Sequence, residues 1–186
     1  MHLDHGTPPR QFCPLCGFLA DFRTPAGDSL PRHICDRCGH INYENPRMVV
    51  GCIAEFDGKI LLCRRAIEPR YGYWTLPAGF MENGETTAQG AARETAEEAG
   101  AIVNIDAAFA LFSIAHIHQV HLFYRARLPT PSYAAGAESL DVGLFQAEDI
   151  PWENLAFRSV KLCIEHYLED RKLGHFSFHE TDLPPL

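Results

Sequence analysis

"GFMENGETTAQGAARETAEEAGA", residues 79 to 101, sets Glu82, Glu85, Glu94, Glu97 and Glu98 around a single cation, Arg93. Carboxylates this close repel one another. The segment is therefore either a solvated acidic face or half of a site whose positive partner is not supplied by the chain. Asn83-Gly84 marks a turn, and residues 86–99 read as a helix stopped at Gly100. At about 100° per residue, that helix puts Glu94, Glu97 and Glu98 in one arc and Ala88, Ala92, Thr95, Ala96 and Ala99 on the opposite side. The expectation is a thin small-residue face packed on a sheet, with three carboxylates presented together. Arg93, four residues before Glu97, can pair with it, but one guanidinium cannot offset three carboxylates. Hard divalent cations such as Mg²⁺ or Mn²⁺ prefer these oxygen donors and commonly bridge them to phosphates.

Outward from this segment the chain alternates strands with two helices. "RMVVGCIAEFDGKILLCRRA" holds two β-rich runs around Asp57-Gly58, a strong hairpin signal, with strands near residues 48–55 and 60–65. The loop "IEPRYGYWTLPAG" leads into the acidic segment. "AIVNIDAAFALFSIA" and "IHQVHLFYRARL" read as further strands, "VGLFQ" as a short one, and "IPWENLAF" as a loop. "RSVKLCIEHYLEDRKL" reads as a helix with Val160, Cys163, Ile164, Tyr167 and Leu168 on its apolar face. This irregular order predicts an α/β fold with a mixed sheet sandwiched between helices.

The 186 residues suffice for one well-buried domain and an appendage, and 46% hydrophobic content is that of a globular chain. The net charge of −8 argues against broad nucleic-acid binding, which depends on Lys and Arg neutralising phosphates. It leaves room for a small anionic ligand that meets the carboxylates through cations. No basic start is joined to an apolar stretch, and no apolar run approaches the roughly 20 residues that span a bilayer, so a soluble, cytoplasmic protein without a membrane partner is expected.

Cys13-Pro-Leu-Cys16 and Cys35-Asp-Arg-Cys38 form a CxxC…CxxC pattern, in a stretch too poor in apolar residues for an independent core. Four thiolates close a tetrahedral shell around Zn²⁺, which makes such a site structural rather than catalytic. Gly17 and Gly39, each following the second Cys of a pair, ease the turn. His33 and His40 are alternative donors, and a reducing compartment suits this cysteine pattern better than disulfides. The reading divides the chain into a loose N-terminus (1–11), a zinc ribbon (12–44), a main domain (45–175) and a C-terminal tail (176–186).

Gly79, five residues, Glu85, seven residues, then Arg93-Glu94-Thr95-Ala96-Glu97-Glu98-Ala99-Gly100-Ala101 resembles the Nudix box, with every fixed Gly or polar position matched. Thr95 and Ala101 stand where that motif carries bulky aliphatic residues. The resemblance implies a Nudix-type α/β/α sandwich and metal-dependent cleavage of a small-molecule nucleotide, a nucleoside diphosphate linked to another group, at its pyrophosphate. It also implies that Glu94, Glu97 and Glu98 ligate Mg²⁺ or Mn²⁺ with the Gly79 carbonyl, that Arg93 orients the carboxylates, and that Glu85 braces Arg93 or a metal-bound water. The general base lies either among these glutamates or on a loop, where "GAESLD" offers Glu138 and Asp141. For substrate contacts, Arg64 and Arg65 are phosphate candidates, Tyr71, Tyr73 and Trp74 are base-stacking candidates, and Glu82 and Glu138 are further substrate-binding candidates.

"FCPLCG…CDRCGHINYENPRMVVGCI" and "IPWENLAFRSV" resemble Nudix hydrolases with an N-terminal zinc ribbon that act on FAD or ADP-ribose. NADH pyrophosphatases share the ribbon, but their SQPWPFPxS array has no counterpart here. A different class of reading is a binding module, either a nucleotide sensor or a ribbon that contacts nucleic acid or protein. Sensors are expected to lose box carboxylates, and this chain retains them. A homodimer is expected by family analogy.

Overall fold

The computed structural model describes residues 11–185, so the loose terminus expected over 1–11 lies outside the described residues except for Gln11, which begins a strand. The chain separates into two compact units, residues 1–45 and 46–186. In the first, β1 (Gln11–Phe12), β2 (Leu19–Arg23), β3 (Arg32–Cys35) and β4 (Ile41–Asn42) make an antiparallel sheet in sequential order. Each CxxC pair closes a tight turn: the Gly17 amide donates to the Cys13 carbonyl (2.9 Å) and the Gly39 amide to that of Cys35 (2.8 Å), with both glycines left-handed.

The second unit is built on a mixed sheet in the order β11-β6-β5-β10-β9-β12. Its strands are β5 (Arg47–Phe56), β6 (Lys59–Arg65), β9 (Asn104–Ile114), β10 (Gln119–Arg127), β11 (Ser139–Phe145) and β12 (His179–Asp182). Two short strands, β7 (Trp74–Thr75) and β8 (Ala78–Phe80), pair with β6 and β5. β5 runs parallel to β10 and antiparallel to β6 and β8. The stretch 176–186, expected as a tail, thus contains an edge strand, β12, parallel to β9.

Side-chain alternation sorts the strands onto two cores. Val50, Cys52, Ala54, Leu61 and Cys63 face α1 (Thr87–Ala99), whereas Ile53, Ile60 and Leu62 face α2 (Arg158–Leu173) through Val160, Cys163, Ile164, Tyr167 and Leu168. The result is a helix–sheet–helix sandwich. A capping box starts α1: the Gln89 amide donates to the Thr86 hydroxyl (3.2 Å) and the Thr86 amide to the Gln89 side chain (2.8 Å).

The packed face of α1 is not the alanine stripe expected from its spacing. Gly90, Ala91, Thr95, Glu98 and Ala99 are buried, Ala88 and Ala92 are half-buried, and Ala96 is exposed. The helix is rolled so that its carboxylate edge turns toward β8. Thr95 and Ala101 are both wholly buried, which explains small residues at positions where a bulky side chain would have to displace the sheet.

At the other helix, buried His121 of β10 ties the sheet to α2. Its Nδ1 lies 3.1 Å from the Ser159 hydroxyl and its Nε2 lies 2.9 Å from the Gln119 carboxamide oxygen. Burial lowers the imidazole pKa to about 4, below the unperturbed 6.5. Between these values the unfolded chain takes up a proton that the folded chain refuses, so stability is lost as pH falls through this window. His121→Leu is expected to flatten the dependence of denaturant-derived stability on pH between about 6.5 and 4, removing a slope worth on the order of 3 kcal/mol. An unaltered slope in the variant contradicts this.

Candidate functional site

Arg93, on α1, is the centre of the site. Its Nε and one terminal nitrogen donate to both oxygens of Glu85 (3.0 and 2.8 Å). The other terminal nitrogen donates to Glu94 (2.7 Å) and Glu97 (3.0 Å). A fifth bond reaches the Phe80 carbonyl (3.1 Å), so one guanidinium joins helix, turn and β8. This pairing holds the Glu85 carboxyl down to about 2, helped by the Glu82 amide, and pushes Arg93 above its usual value through the same Glu85 bonds.

Glu98 occupies a different environment. It is buried, and its carboxylate accepts a single hydrogen bond, from the Ala78 amide (3.1 Å). Burial, opposed by that bond and reinforced by the Glu94 charge, pushes its pKa up to about 7. Burial also raises Glu94, although Arg93 pulls it the other way. Gly79 of β8 makes the close approach of these groups to the strand achievable, because a Cβ there would overlap the Glu94 carboxyl. Glu97 remains the most open of the three, its side chain 60% exposed.

These carboxylates open into a cleft of about 910 Å³, with Gly79, Glu82, Arg93 and Glu138 also on its walls. Glu138 is brought there by backbone ties of its loop: the Gly136 amide donates to the Glu98 carbonyl (3.0 Å) and the Ala66 amide to the Glu138 carbonyl (2.8 Å). A side chain at Gly136 would strike the Glu97 carbonyl, so this loop approaches α1 as closely as backbone allows. Asp141 lies elsewhere, its carboxylate accepting from the Val142 amide (2.9 Å).

Strand alternation separates the two arginines. Arg65 is buried on the cleft wall, donating to the Pro69 carbonyl (2.9 Å) with its guanidinium 5.1 Å from the Phe157 ring centroid. Arg64 points the other way, exposed, and donates to the Gly72 carbonyl (3.0 Å). The aromatics proposed for stacking are not brought to the cleft: Tyr73 lies beneath the Arg70 guanidinium (5.5 Å), Tyr71 is exposed, and Trp74 packs edge-on against Phe145 (4.9 Å) in the core. The cleft is lined instead by Phe80 beside the carboxylates and, beyond it, by Gln119, His121, Phe157 and Ser159, with Leu183 and Pro184 from beyond β12. Sequence reasoning passed over these residues. The one available signal was Gln119 and His121 at alternate positions in the first half of β10, where their neighbours Val120 and Leu122 are apolar.

The donor chemistry of Glu94, Glu97, Glu98 and the Gly79 carbonyl, all oxygen and with a half-buried negative excess, fits a hard divalent cation. The three carboxylates are nevertheless not drawn as close together as the thiols are. Arg93 holds Glu94 and Glu97, and the Ala78 amide holds Glu98. In the first unit the sulfurs of Cys13, Cys16, Cys35 and Cys38 all lie within 4.8 Å of one another, with Cys13–Cys38 at 3.6 Å and Cys16–Cys35 at 3.5 Å. Tetrahedral thiolate ligation sets sulfurs about 3.8 Å apart, so this cluster fits an ion of that kind. His33 stacks on Phe22 (4.9 Å) and His40 contributes only its backbone carbonyl, to the Cys35 amide. Among the described residues, neither histidine belongs to the cluster.

The profile of the NUDIX domain matches residues 45–161, and that described as Nudix N-terminal matches residues 11–44. An ADP-ribose pyrophosphatase of Methanocaldococcus jannaschii is 30% identical over 67% of this chain and 75% of its own length. A NAD-capped RNA hydrolase of Photobacterium profundum is 32% identical over 53% of this chain, a match spanning 35% of that relative's own length. A crystal structure of a NUDIX hydrolase from Nitrosomonas europaea superposes with a TM-score of 0.91 at 49% identity, covering 93% of this chain and 98% of that one. With its Arg93-centred box on a mixed α/β sheet and a cysteine ribbon ahead of it, the chain belongs to the Nudix hydrolase family.

Proposed function

We infer that the protein hydrolyses the pyrophosphate bond of a nucleoside diphosphate linked to a second group, with ADP-ribose and FAD as the leading substrates. The observation that carries this reading is the carboxylate cluster around Arg93 opening into a cleft large enough for a dinucleotide. The relative named ADP-ribose pyrophosphatase, matched over two thirds of this chain, supports the choice of substrate.

Glu94, Glu97 and Glu98, with the Gly79 carbonyl, are the residues that would hold Mg²⁺ or Mn²⁺, and bound there the ion polarises phosphate oxygens and acidifies a water. The chain's own contribution is positioning. Arg93 fixes two of the three carboxylates, and Glu85 fixes Arg93 through a two-pronged pair that leaves the guanidinium little freedom to rotate. Glu138, exposed on its tethered loop, is the candidate that accepts the proton of the attacking water. Arg65, on the cleft wall and close enough to Glu98 to act on its charge, is the candidate that meets the diphosphate. In the first unit the four thiolates hold Zn²⁺ in a structural role. The family-derived homodimer belongs to this proposal, and sedimentation in solution measures it directly.

A panel of ADP-ribose, FAD, NADH and CoA with Mg²⁺ or Mn²⁺ tests the reading. ADP-ribose or FAD is expected to be cleaved to AMP, with activity abolished by a chelator and restored by the ion. Glu97→Gln is expected to lower kcat by at least about 100-fold, the scale on which losing one charge-stabilising group is felt. Full activity in that variant, or no turnover by the wild type, removes the hydrolase assignment. Gly79→Ala, whose Cβ displaces the Glu94 carboxyl, is expected to cost kcat on the order of 100-fold without changing the melting temperature by more than a few degrees.

Elemental analysis should return about one zinc per chain, and its removal should abolish hydrogen-exchange protection across residues 11–44. Retained protection in zinc-free protein is the contrary result.

A further inference from the structure

The polar pair on the far wall of the cleft carries an inference that rests on the pyrophosphatase reading and deepens it. Register places the pair relative to the carboxylates. Val49 of β5 stands opposite Phe80 of β8 on one side and opposite His121 of β10 on the other. Directly paired residues share a face of the sheet, so Phe80, Val49 and His121 form one row along the cleft. With strands about 4.8 Å apart, His121 stands about 10 Å across the sheet from Phe80, the residue next to Gly79. Gln119, two residues earlier on β10, faces the same side.

The hydrogen bonds orient Gln119. Its carboxamide oxygen accepts from His121 Nε2 (2.9 Å), which therefore carries the ring proton, and Nδ1 accepts from the Ser159 hydroxyl (3.1 Å). Burial keeps His121 neutral, so this tautomer persists across the ordinary pH range. With the oxygen occupied, the carboxamide nitrogen makes no hydrogen bond among the described residues, and its two N–H groups lie on a half-buried side chain of the cleft wall. Around it the wall is apolar and partly aromatic: Ile114, Phe157 and Leu183 contribute, and Phe80 carries the Arg47 guanidinium 4.9 Å from its ring centroid. Apolar and aromatic side chains around an oriented donor suit a heteroaromatic ring that presents a ring nitrogen or carbonyl.

We propose that Gln119, held by His121 and Ser159, is the specificity-determining residue that donates to the heteroaromatic ring of the substrate. The ring lies against Phe157 and Phe80. His121 acts through Gln119 and is a positioning residue.

The test compares wild type with Gln119→Met, which keeps shape and removes the donor, and with Gln119→Glu, which puts an acceptor in its place. Melting temperatures verify that both fold. Gln119→Met is expected to raise the KM for ADP-ribose and the inhibition constant of AMP by roughly 3- to 10-fold, the value of one neutral hydrogen bond. The loss should fall on KM rather than kcat, with Gln119→Glu more severe. Inhibition by ribose 5-phosphate, which has no ring, should weaken far less than inhibition by AMP. Equal weakening of both inhibitors, a loss confined to kcat, or no change overturns the proposal. If the wild type cleaves no dinucleotide, the hydrolase reading fails separately, and calorimetric titration of AMP into wild type and Gln119→Met still decides the ring contact: equal affinities, or no binding, overturn it.

Discussion

One guanidinium against four carboxylates is the interaction on which the site depends. Glu85, Glu94 and Glu97 are hydrogen-bonded to Arg93, and Glu98 is buried with the Ala78 amide as its hydrogen-bond donor. Arg93 removes enough of the mutual repulsion for α1 to fold against the sheet, but it leaves a net negative excess facing the cleft. Glu85, held near 2, is fully committed to Arg93, whereas Glu98 is pushed up to about 7 because burial, with the Glu94 charge, outweighs the Ala78 amide and the Arg65 charge. The two carboxylates thus divide into one that is ion-paired and one whose charged form burial disfavours.

That arrangement requires the helix and β8 to lie closer than ordinary side chains allow. Gly79 meets the Glu94 carboxyl, Gly90 meets Glu85 and Val50, and Gly136 meets the Glu97 backbone, so glycines line each approach to the carboxylate edge. The consequence for packing is the roll of α1. Its sheet-facing side carries Glu98 between Ala91 and Ala99, not the regular alanine stripe, because turning the carboxylates toward β8 outweighs burying two more methyl groups. Burying apolar surface yields about 25 cal/mol per Å², a small sum for two alanines beside the hydrogen bonds that Arg93 and the Ala78 amide make.

Much of the architecture was legible in the chain. The hairpin at Asp57-Gly58, the helix ended by Gly100, the second helix with Cys163, Ile164 and Tyr167 inward, and the paired CxxC turns each depend on residues near one another in sequence, where turn chemistry and periodicity act directly. The far wall of the cleft was not legible. Gln119 on β10, Phe157 and Ser159 at the start of α2, and Leu183 after β12 come from three distant parts of the chain, and only the parallel pairing of β5 with β10 and the docking of α2 bring them near Phe80. The same limit applies to Arg64 and Arg65, which look equivalent until pairing decides that Arg65 faces the cleft and Arg64 faces away.

By itself the sequence determined which groups the protein can use: a spaced set of carboxylates with one arginine, four thiols in two turns, and the alternation that builds a mixed sheet. These follow from local geometry, since helical and strand periods put neighbours in sequence on known faces. Only the tertiary structure decided which of those groups share a space. It buried Glu98 while leaving Glu97 open, kept Tyr73 out of the cleft, drew residues 179–182 into the sheet edge, and set Gln119 on the cleft wall. Such outcomes depend on contacts between residues far apart in the chain, and periodicity carries no information about distances across the fold.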